Sequence, residues 1–253
     1  FYSEDSLATF DCVIANPPFS LEKWGDDFWI NDPYGRNFAG LPPAKSGDFA
    51  WVQHMIKSMA RKTGRMAVVL PHGVLFRMSK EGEIRRKLLE MDMLEAVIGL
   101  GQNIFYGTGL APCVLVFLDS KPKAHRQKVL FIDASKEFKT GRAQNELLPE
   151  HVDNIHRWYE GYQDVEGICR VVTLDEIREK KLKTLPYGLT GQVIFYAGPT
   201  PPKAGRPFGA IGPTTSSRMD FAAPLLMSMG LTGTIGKGER SDDVKKACKE
   251  YSS

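Results

Sequence analysis

The segment FDCVIANPPF, residues 10–19, joins an apolar run to a conformationally restricted polar tetrapeptide. The amide oxygen of Asn16 and the carbonyl oxygen of Pro17 are two hydrogen-bond acceptors, which suit an exocyclic amine with two N–H donors. Pro17 and Pro18 fix their own φ angles and restrict the residues before them, so these acceptors are held in a rigid loop. The ring of Phe19 offers a stacking face. These residue types predict a pocket for the amino group of an adenine flipped out of a duplex.

The element that must position this loop is the apolar run before it. Phe10 to Ala15 have the nearly continuous apolar character of a strand buried on both faces of a parallel sheet. The loop would then lie at the carboxyl end of a strand, where open α/β sheets bind their ligands. An ordinary strand followed by a turn is the alternative interpretation of the same residues.

Strand and helix patterns alternate along residues 48–180. The sequence predicts strands over residues 65–70, 94–100, 112–118, 129–133 and 168–172, and helices over 48–61, 81–91, 149–162 and from 174. Asp48 is expected to be the N-cap of the first helix. The strand over 112–118 is expected to pair with its neighbour through a hairpin. The alternation predicts an α/β fold with a doubly wound, Rossmann-like parallel sheet.

Composition limits the class of protein. A chain of 253 residues, 42% hydrophobic and 25% charged, is expected to form one large or two modest globular domains. It contains no run of about 18 apolar residues, so we expect no membrane span and no membrane partner. Its four cysteines are far apart and form no CxxC pair, which favours reduced thiols in a cytoplasmic protein. The net charge of +3 is compatible with nucleic acid without arguing for it.

Several segments occur in the order found in the modification subunit of type I restriction-modification systems, and residues 1–180 resemble that family. The segments are FDCVIANPPF, GRMAVVLPHGVLFR, LEAVIGL, NIFYGTGLAPCVLVF and KVLFIDASKEFKTGRAQNELLPEH. The tetrapeptide Asn-Pro-Pro-Phe resembles the catalytic motif of N6-adenine DNA methyltransferases. The resemblance implies a methyltransferase fold, S-adenosylmethionine as the cofactor, DNA as a partner, and assembly with specificity and restriction subunits.

The resemblance also implies roles for individual residues. Asn16 and the Pro17 carbonyl would accept hydrogen bonds from the adenine amine, and Phe19 would stack on one face of the base. Phe105 matches the position whose ring covers the other face in this family, and Tyr106 is the alternative candidate. Both could instead be plain hairpin aromatics. Stacking of this kind is worth about 1–3 kcal/mol per base.

The chain departs from the family at its amino end. In the family a glycine-rich turn and an acidic residue that hold S-adenosylmethionine precede the tetrapeptide, and residues 1–9 contain neither feature. The first residue is Phe1 and not Met. We therefore expect a chain cut at its amino end, with exposed sheet edges and poor solubility, that does not methylate by itself.

The character of the sequence changes near Lys180, where KKLKTLP leads into a region rich in Gly and Pro. A strand is predicted over residues 192–197. The segment GPTTSSRMD, residues 212–220, places hydroxyl groups and Arg218 at an expected helix N-terminus, which attracts anions. Arg218 can bind a carboxylate bidentately, so the segment predicts a dicarboxylate site. Ordinary helix capping is the alternative.

Residues 185–251 resemble the beta, or C-terminal, region of class I fumarases and tartrate dehydratases. The likeness rests on GQVIFYAGPTPPKAGRPFGAIGPTTSSRMD and LTGTIGKGERSDDVKKAC. It implies Thr214 as the catalytic acid-base, Thr215 and Arg218 as ligands of the substrate carboxylate, and Lys237 as an assisting residue. The cysteines for the [4Fe-4S] cluster of those enzymes lie in their other region, so a cluster would come only through an iron-sulfur alpha region as a partner.

Two domains are therefore expected, a methyltransferase catalytic fragment over residues 1–180 and a small α/β fumarase-type fragment over residues 181–253. We expect a joined pair of fragments, either a genuine fusion or an artefact of assembly, frameshift or rearrangement. The leading hypothesis is an adenine DNA methyltransferase fragment that is inactive alone. One alternative is a hydro-lyase fragment that binds a dicarboxylate, and another is a non-catalytic remnant that binds nucleic acid.

Overall fold

The computed structural model describes residues 2–3, 6–105, 109–179, 190–199 and 209–251. The chain divides into two units, Phe1–Lys181 and Leu182–Ser253. In the described part of the chain no helix combines the length and apolar character needed to cross a membrane.

A six-stranded mixed sheet forms the centre of the first unit. Its strands are β1 (Cys12–Ala15), β2 (Arg65–Pro71), β3 (Leu94–Leu100), β4 (Pro112–Leu118), β5 (Lys128–Ala134) and β6 (Cys169–Thr173), in the spatial order β1-β2-β4-β3-β5-β6. A short antiparallel pair, Tyr2–Ser3 with Ser6–Leu7, precedes β1. The strands predicted from the apolar runs are confirmed to within about two residues at each end.

The sheet is mixed, whereas the sequence predicts a parallel sheet. β1 and β2 are parallel, as are β3 and β5, but β4 runs antiparallel to both neighbours and β6 runs antiparallel to β5. The hairpin prediction is confirmed, because β4 returns beside β3 with Val97 opposite Leu115 and Ile98 opposite Val114. β4 thereby inserts between β2 and β3. A hairpin return reverses the chain direction, which is why the sheet is mixed.

The helices of the first unit are α1 (Asp26–Ile30), α2 (Asp48–Lys57), α3 (Lys80–Glu90), α4 (Pro149–Gly161) and α5 (Leu174–Glu179), with single 3₁₀ turns at His72–Leu75 and Lys123–His125. The helices predicted at 81–91 and 149–162 are confirmed within one residue. Helix α2 ends before its predicted end at residue 61. The chain after Lys57 leaves the helix to bond with Phe10, whose N–H donates to Ser58 O at 2.9 Å and whose carbonyl accepts from Ala60 N at 2.9 Å.

Hydrophobic clusters cover both faces of the sheet. On one face, residues of α2 and α3 pack against β2 and β4; this cluster includes Phe49, Val52, Ile84, Met66, Val68, Leu70 and Phe117, all at most 2% exposed. On the other face, Ala96, Ile98, Leu130 and Ile132 pack beneath Ile155 and Trp158 of α4.

Strand β1 is the edge of the described sheet, and the prediction that it is buried on both faces is wrong. Val13 and Ala15 pack against the cluster on the α2 side. Ile14, on the opposite face, is 77% exposed. The alternation arises because successive side chains of a strand point to opposite faces, and the described residues cover only one face of this strand.

The second unit contains β7 (Val193–Phe195), β8 (Ala197–Pro199), β9 (Ile211–Pro213) and β10 (Gly233–Ile235). β7 pairs with β10 in parallel, and β8 pairs with β9 antiparallel. Helices α6 (Ala223–Ser228) and α7 (Asp242–Glu250) pack through Ala223, Met227, Val244 and Ala247. The strand predicted over 192–197 is interrupted at Tyr196. The predicted linker from Lys180 lies outside the described residues.

Candidate functional site

The tetrapeptide Asn16-Pro17-Pro18-Phe19 directly follows β1 at its carboxyl end, as the sequence predicts. Asn16 and Pro18 are exposed, whereas Pro17 and Phe19 are half-buried. Among the residues that the structure describes, the Asn16 amide has no hydrogen-bond partner. Its oxygen is therefore available to an external donor.

The structure brings Phe105 to Phe19. Their ring centroids lie 6.3 Å apart with the planes inclined at 79°, an edge-to-face contact between the loop after β1 and the loop after β3. Phe105 is positioned by its neighbour Ile104, which is 9% exposed and packs in the core, and whose carbonyl accepts a hydrogen bond from the Gln144 side chain. Tyr106, the alternative stacking residue, lies outside the described residues.

The two rings stand close together without leaving a slot for a base. A planar base with a ring on each side needs faces about 7 Å apart, since each carbon contact takes roughly 3.5 Å. The edge-to-face geometry at 6.3 Å occupies that space. At least one ring must turn or move for a base to lie between them.

Behind the loop, buried polar side chains hold Ser20, the residue that follows Phe19. The Asp48 carboxylate is fully buried and accepts hydrogen bonds from Ser20 N at 2.7 Å and from Arg77 Nη1 at 2.8 Å. Arg77 Nη2 donates to Ser20 Oγ at 2.9 Å. Glu81, 3% exposed, accepts from Arg77 Nη1 at 3.3 Å and from Ser46 Oγ at 2.9 Å. We call these five side chains the Arg77 cluster.

The Arg77 cluster corrects the prediction for Asp48. Gly47 occupies the N-cap position, and Asp48 is the first helical residue. Its carboxylate turns inward because Ser20 and Arg77 supply donors there. Burial alone would lower the pKa of Arg77, but its hydrogen bond to Asp48 and the charge of Glu81 raise the pKa above its ordinary value. The only sequence signal for this cluster is a carboxylate beginning an apolar helix.

A cavity of about 580 Å³ lies elsewhere on the first unit. Its lining is mostly apolar and includes His72, Gly99, Phe131, Val165 and Arg170. The Nε2 atom of His72 is buried there, without a hydrogen-bond partner among the described residues. None of the residues predicted from the sequence to bind base lines this cavity.

The described residues do not form sites for the two implied cofactors. After β1 comes the proline-rich tetrapeptide, after β2 the 3₁₀ turn at His72–Leu75, and after β5 a turn at residues 135–136, so none of these strands leads through a glycine-rich turn into a helix. S-adenosylmethionine therefore lacks its expected cradle in this part of the chain. Within the same residues no three His, Cys, Asp or Glu side chains cluster to hold a metal, and all four cysteines are separate thiols. They cannot ligate a [4Fe-4S] cluster.

In the second unit the backbone brings Thr214, Thr215 and Lys237 together. Lys237 N donates to Thr214 O at 3.0 Å, and Ser216 N donates to Lys237 O at 2.8 Å. Thr215 and Lys237 thus form a parallel bridge. Arg218 lies in the short 3₁₀ turn Ser216–Met219 and is exposed.

The expected helix N-terminus is absent at this point in the described chain, because one 3₁₀ turn replaces the helix. The anion-binding argument from a helix dipole therefore does not apply here. The side chains of Arg218 and Lys237 form no ion pair with any other described residue, so both cations are available to an anion.

A half-buried ion pair that the sequence analysis missed joins the segment after Lys237 to the turn that carries Arg218. Arg240 Nε donates to Asp220 Oδ1 at 2.7 Å, and Ser241 N donates to Asp220 Oδ2 at 2.7 Å. Burial alone would raise the pKa of Asp220, but these hydrogen bonds from Ser241 and Arg240 lower it below its ordinary value. The pair holds the Lys237 segment against the turn that carries Arg218.

Comparison with known proteins decides the family of the larger unit. Residues 2–187 match the family described as N-6 DNA Methylase. The chain belongs to the N-6 DNA methylase family. The methylase subunit of the type I restriction enzyme MjaVII, from Methanocaldococcus jannaschii, is 39% identical over 178 residues, which is 67% of this chain and 30% of that relative. The resemblance to type I modification subunits is thereby confirmed.

A solved structure shows the same relationship. The type I restriction-modification methyltransferase subunit from Streptococcus thermophilus matches with a TM-score of 0.62 and 36% identity, over 68% of this chain and 36% of that chain. This similarity confirms the predicted methyltransferase-like α/β fold. The chain spans about a third of the length of these relatives.

The C-terminal part matches a second, unrelated family. Residues 170–253 match the family described as Fumarase C-terminus, so the two matches overlap over residues 170–187. The anaerobic class I fumarate hydratase of Escherichia coli is 43% identical over 70 residues, which is 27% of this chain and 13% of that protein. The fumarase resemblance is confirmed as a likeness of sequence.

Proposed function

We propose that the first unit forms the adenine-binding pocket of a type I, S-adenosylmethionine-dependent N6-adenine DNA methyltransferase subunit. The observation that carries the proposal is the meeting of two loops at the sheet edge. One loop presents the Phe19 ring and the Asn16 amide, which no described residue hydrogen-bonds, and the other brings the Phe105 ring centroid within 6.3 Å of that of Phe19. Family membership supports the same function.

The chemistry proposed for the pocket is recognition and activation of an amine. The Asn16 oxygen and the Pro17 carbonyl accept the two N–H groups of the adenine amine, which leaves the nitrogen lone pair directed away from them, toward a methyl donor. Phe19 and Phe105 enclose the base after one ring turns. This recognition uses acceptor oxygens and aromatic rings, and no histidine is assigned a role in it.

The proposed partners are DNA and the specificity and restriction subunits of a type I system. Support comes from relatives that are methylase subunits of type I restriction enzymes. In such a complex the specificity subunit selects the target, so this chain is expected to hold the flipped base without reading the surrounding sequence. Because the described residues form no cradle for S-adenosylmethionine, we expect base binding, and not methyl transfer, from this chain alone.

The proposal can be tested with the full chain and a DNA duplex that carries a mismatched adenine beside 2-aminopurine, a fluorescent base that serves only as the reporter. Entry of the adenine into the pocket should unstack the neighbouring 2-aminopurine and change its emission, and Asn16→Leu should abolish most of the change, because leucine has similar volume and no acceptor for the adenine amine. Asn16→Asp, which keeps an acceptor oxygen at this position, should retain more of the response. Phe19→Ala should weaken binding by roughly 5–150-fold, the equivalent of about 1–3 kcal/mol of stacking.

Phe28→Ala is the matched control, since Phe28 is an aromatic side chain of helix α1 that is 83% exposed. It should leave the fluorescence response unchanged. Binding that is insensitive to both Asn16→Leu and Phe19→Ala would remove the pocket assignment and would leave a non-catalytic nucleic-acid contact as the interpretation.

A second candidate function concerns the second unit, which we propose binds a dicarboxylate through residues shared with fumarase-type hydro-lyases. The observation in its favour is the juxtaposition of Thr214, Thr215 and Lys237 through backbone hydrogen bonds, with Arg218 following in the next turn. In this proposal the Arg218 guanidinium and the Thr215 hydroxyl bind one carboxylate, Lys237 assists, and Thr214 transfers a proton. Hydration chemistry would further require an iron-sulfur alpha region as a partner.

The carboxylate proposal is tested by the thermal stability of the full chain with fumarate. Ligand binding to the folded state should raise the midpoint of unfolding of the second unit, and Arg218→Ala should remove this shift. Lys249→Ala, which removes a cation from α7, is the control. A shift that survives Arg218→Ala would exclude the assigned site.

A further inference from the structure

We propose that Arg77 is a positioning residue for the adenine pocket, acting through Ser20 on the Asn16–Phe19 loop. The inference rests on the function proposed for the first unit. Arg77 does not belong to the tetrapeptide, and it follows β2, whereas the tetrapeptide follows β1. Its guanidinium nevertheless reaches the residue immediately after Phe19, with Nη2 2.9 Å from Ser20 Oγ.

Ser20 is held at both its backbone and its side chain. Its N–H donates to Asp48 Oδ1 at 2.7 Å, and its hydroxyl lies 3.3 Å from Asp48 Oδ2 and 2.9 Å from Arg77 Nη2. Its φ angle is +50°, in the left-handed region that non-glycine residues seldom occupy. Such a conformation persists only where surrounding contacts fix it. The Arg77 cluster supplies these contacts and so fixes the direction in which the chain leaves the tetrapeptide.

The guanidinium is suited to this task by its shape. Nη1 contacts Asp48 while Nη2 contacts Ser20, so one planar group bridges helix α2 and the loop. Space for it comes from Gly73, where a Cβ would lie 2.7 Å from both Arg77 Nε and Nη2. A lysine at position 77 would retain the charge but lacks the two-pronged geometry.

The charges of the Arg77 cluster make the arrangement dependent on Arg77. Asp48 and Glu81 are both buried carboxylates, and Arg77 is the cation that contacts them at 2.8 and 3.3 Å. Arg85 lies nearby but donates to the carbonyls of Val74 and Arg77 at 3.0 and 2.8 Å. When the guanidinium is lost, the buried Asp48 carboxylate moves to hydrogen-bond with other donors or with water, and the hydrogen bond that it accepts from Ser20 N weakens.

The first test needs no ligand. In the full chain, hydrogen exchange of the Ser20 amide, followed by NMR, should become about tenfold faster or more in Arg77→Lys, because a protecting hydrogen bond is weakened. The amide of Leu115 in the centre of the sheet should be unaffected. Arg86→Lys is the matched control, since Arg86 is 65% exposed and pairs at 3.5 Å with Glu90. Unchanged exchange at Ser20 in a folded Arg77→Lys protein would overturn the proposal.

The second test asks whether the loop is held for the base. Arg77→Lys should reduce the 2-aminopurine response by about tenfold, while thermal unfolding confirms that the core is intact. Ser20→Gly should have a similar effect, since glycine accepts a φ of +50° and the change removes the hydroxymethyl group that contacts Arg77. If Arg77 acts through Ser20, the variant that carries both Arg77→Lys and Ser20→Gly should bind DNA as well as the single variant with the lower affinity.

The outcomes separate this inference from the proposed function. A parent chain that never responds to the base, with Ser20 exchange still dependent on Arg77, would refute the adenine pocket and leave the loop anchor established. A parent chain that responds, with losses in Asn16→Leu but none in Arg77→Lys, would refute the positioning role alone. Additive losses in the double variant would show that Arg77 does not act through Ser20.

Discussion

The ammonium group of Lys121 is expected to be among the largest single contributions to the stability of the first unit. The Lys121 side chain is 1% exposed, and its Nζ lies 3.0 Å from Asp92 Oδ1, 2.5 Å from the Lys128 carbonyl and 4.0 Å from Glu95 Oε2. The Glu95 side chain is itself 3% exposed. Lys121→Met retains most of the aliphatic stem but removes the ammonium from these acceptors, and Glu95 keeps only its 2.5 Å contact with His125 Nδ1 among the described side chains.

The magnitude follows from that burial. Removing one partner of a buried ion pair costs about 3–5 kcal/mol, because an uncompensated charge remains inside the protein. For a unit of this size each kcal/mol lowers the unfolding midpoint by about 2–4 °C, so Lys121→Met should lower it by about 6–20 °C. A second change, Glu95→Gln, should restore part of the loss by removing the buried carboxylate that has lost its ammonium partner, with a coupling of about 0.5–3 kcal/mol.

Tryptophan fluorescence isolates the relevant transition. The four tryptophans of the chain, Trp24, Trp29, Trp51 and Trp158, all lie in the first unit. Lys123→Met is the control, because Lys123 is exposed in the adjacent 3₁₀ turn and carries the same change. If the two variants unfold at the same temperature, the buried ammonium does not stabilise the fold and the reasoning from burial fails.

Three further outcomes are expected. Ile14→Lys should raise the soluble concentration of the chain while changing the free energy of unfolding by about 0.5 kcal/mol or less, since Ile14 is 77% exposed on the edge strand; a light-scattering comparison with the parent checks this. Iodoacetamide at neutral pH should alkylate exposed Cys12 and spare Cys113, because burial and the charge of Asp48 raise the pKa of the Cys113 thiol to about 12; mass spectrometry of the native chain decides. Because the pKa of Asp220 is lowered, its carboxylate stabilises the second unit at pH values above the ordinary pKa of 3.8, and this stabilisation is lost as the pH falls further. Asp220→Asn should therefore make the stability of the second unit less dependent on pH in acid, measured by NMR of the Ser241 amide.

The sequence was sufficient for the local elements and insufficient for their arrangement. Apolar runs such as RMAVVL and PCVLVFL correctly marked β2 and β4, because a strand buried on both faces must be apolar throughout. The same pattern failed for β1, where the run is apolar but Ile14 is exposed. The pattern of apolar residues shows which faces of a strand can be buried. Whether a face is buried depends on the neighbouring elements that the tertiary structure places against it. The insertion of β4 between β2 and β3 likewise has no local signature.

For the candidate site, too, the sequence identified individual residues but not how they are arranged. Residue types identified the tetrapeptide and, through a family resemblance, Phe105; the contact between Phe19 and Phe105 is visible only in the structure. The Arg77 cluster was missed because its members are far apart in the chain. A usable signal did exist, since a carboxylate that begins a helix with the apolar face of DFAWV requires a buried partner.

A short motif therefore does not by itself define this pocket. The tetrapeptide occupies four consecutive positions, but the residue after it takes its left-handed conformation from Asp48 and Arg77, which lie 28 and 57 positions further along the chain. A peptide containing residues 10–47 would retain every predicted base-binding atom of the tetrapeptide and lose both anchors. Because Ser20 would then be free to leave a strained φ angle, the acceptors of Asn16 and Pro17 would no longer be held in one geometry. Recognition of the amine is thus a property of the folded sheet, because the loop is held at its start by β1 and at Ser20 by Asp48 of α2 and by Arg77, which follows β2.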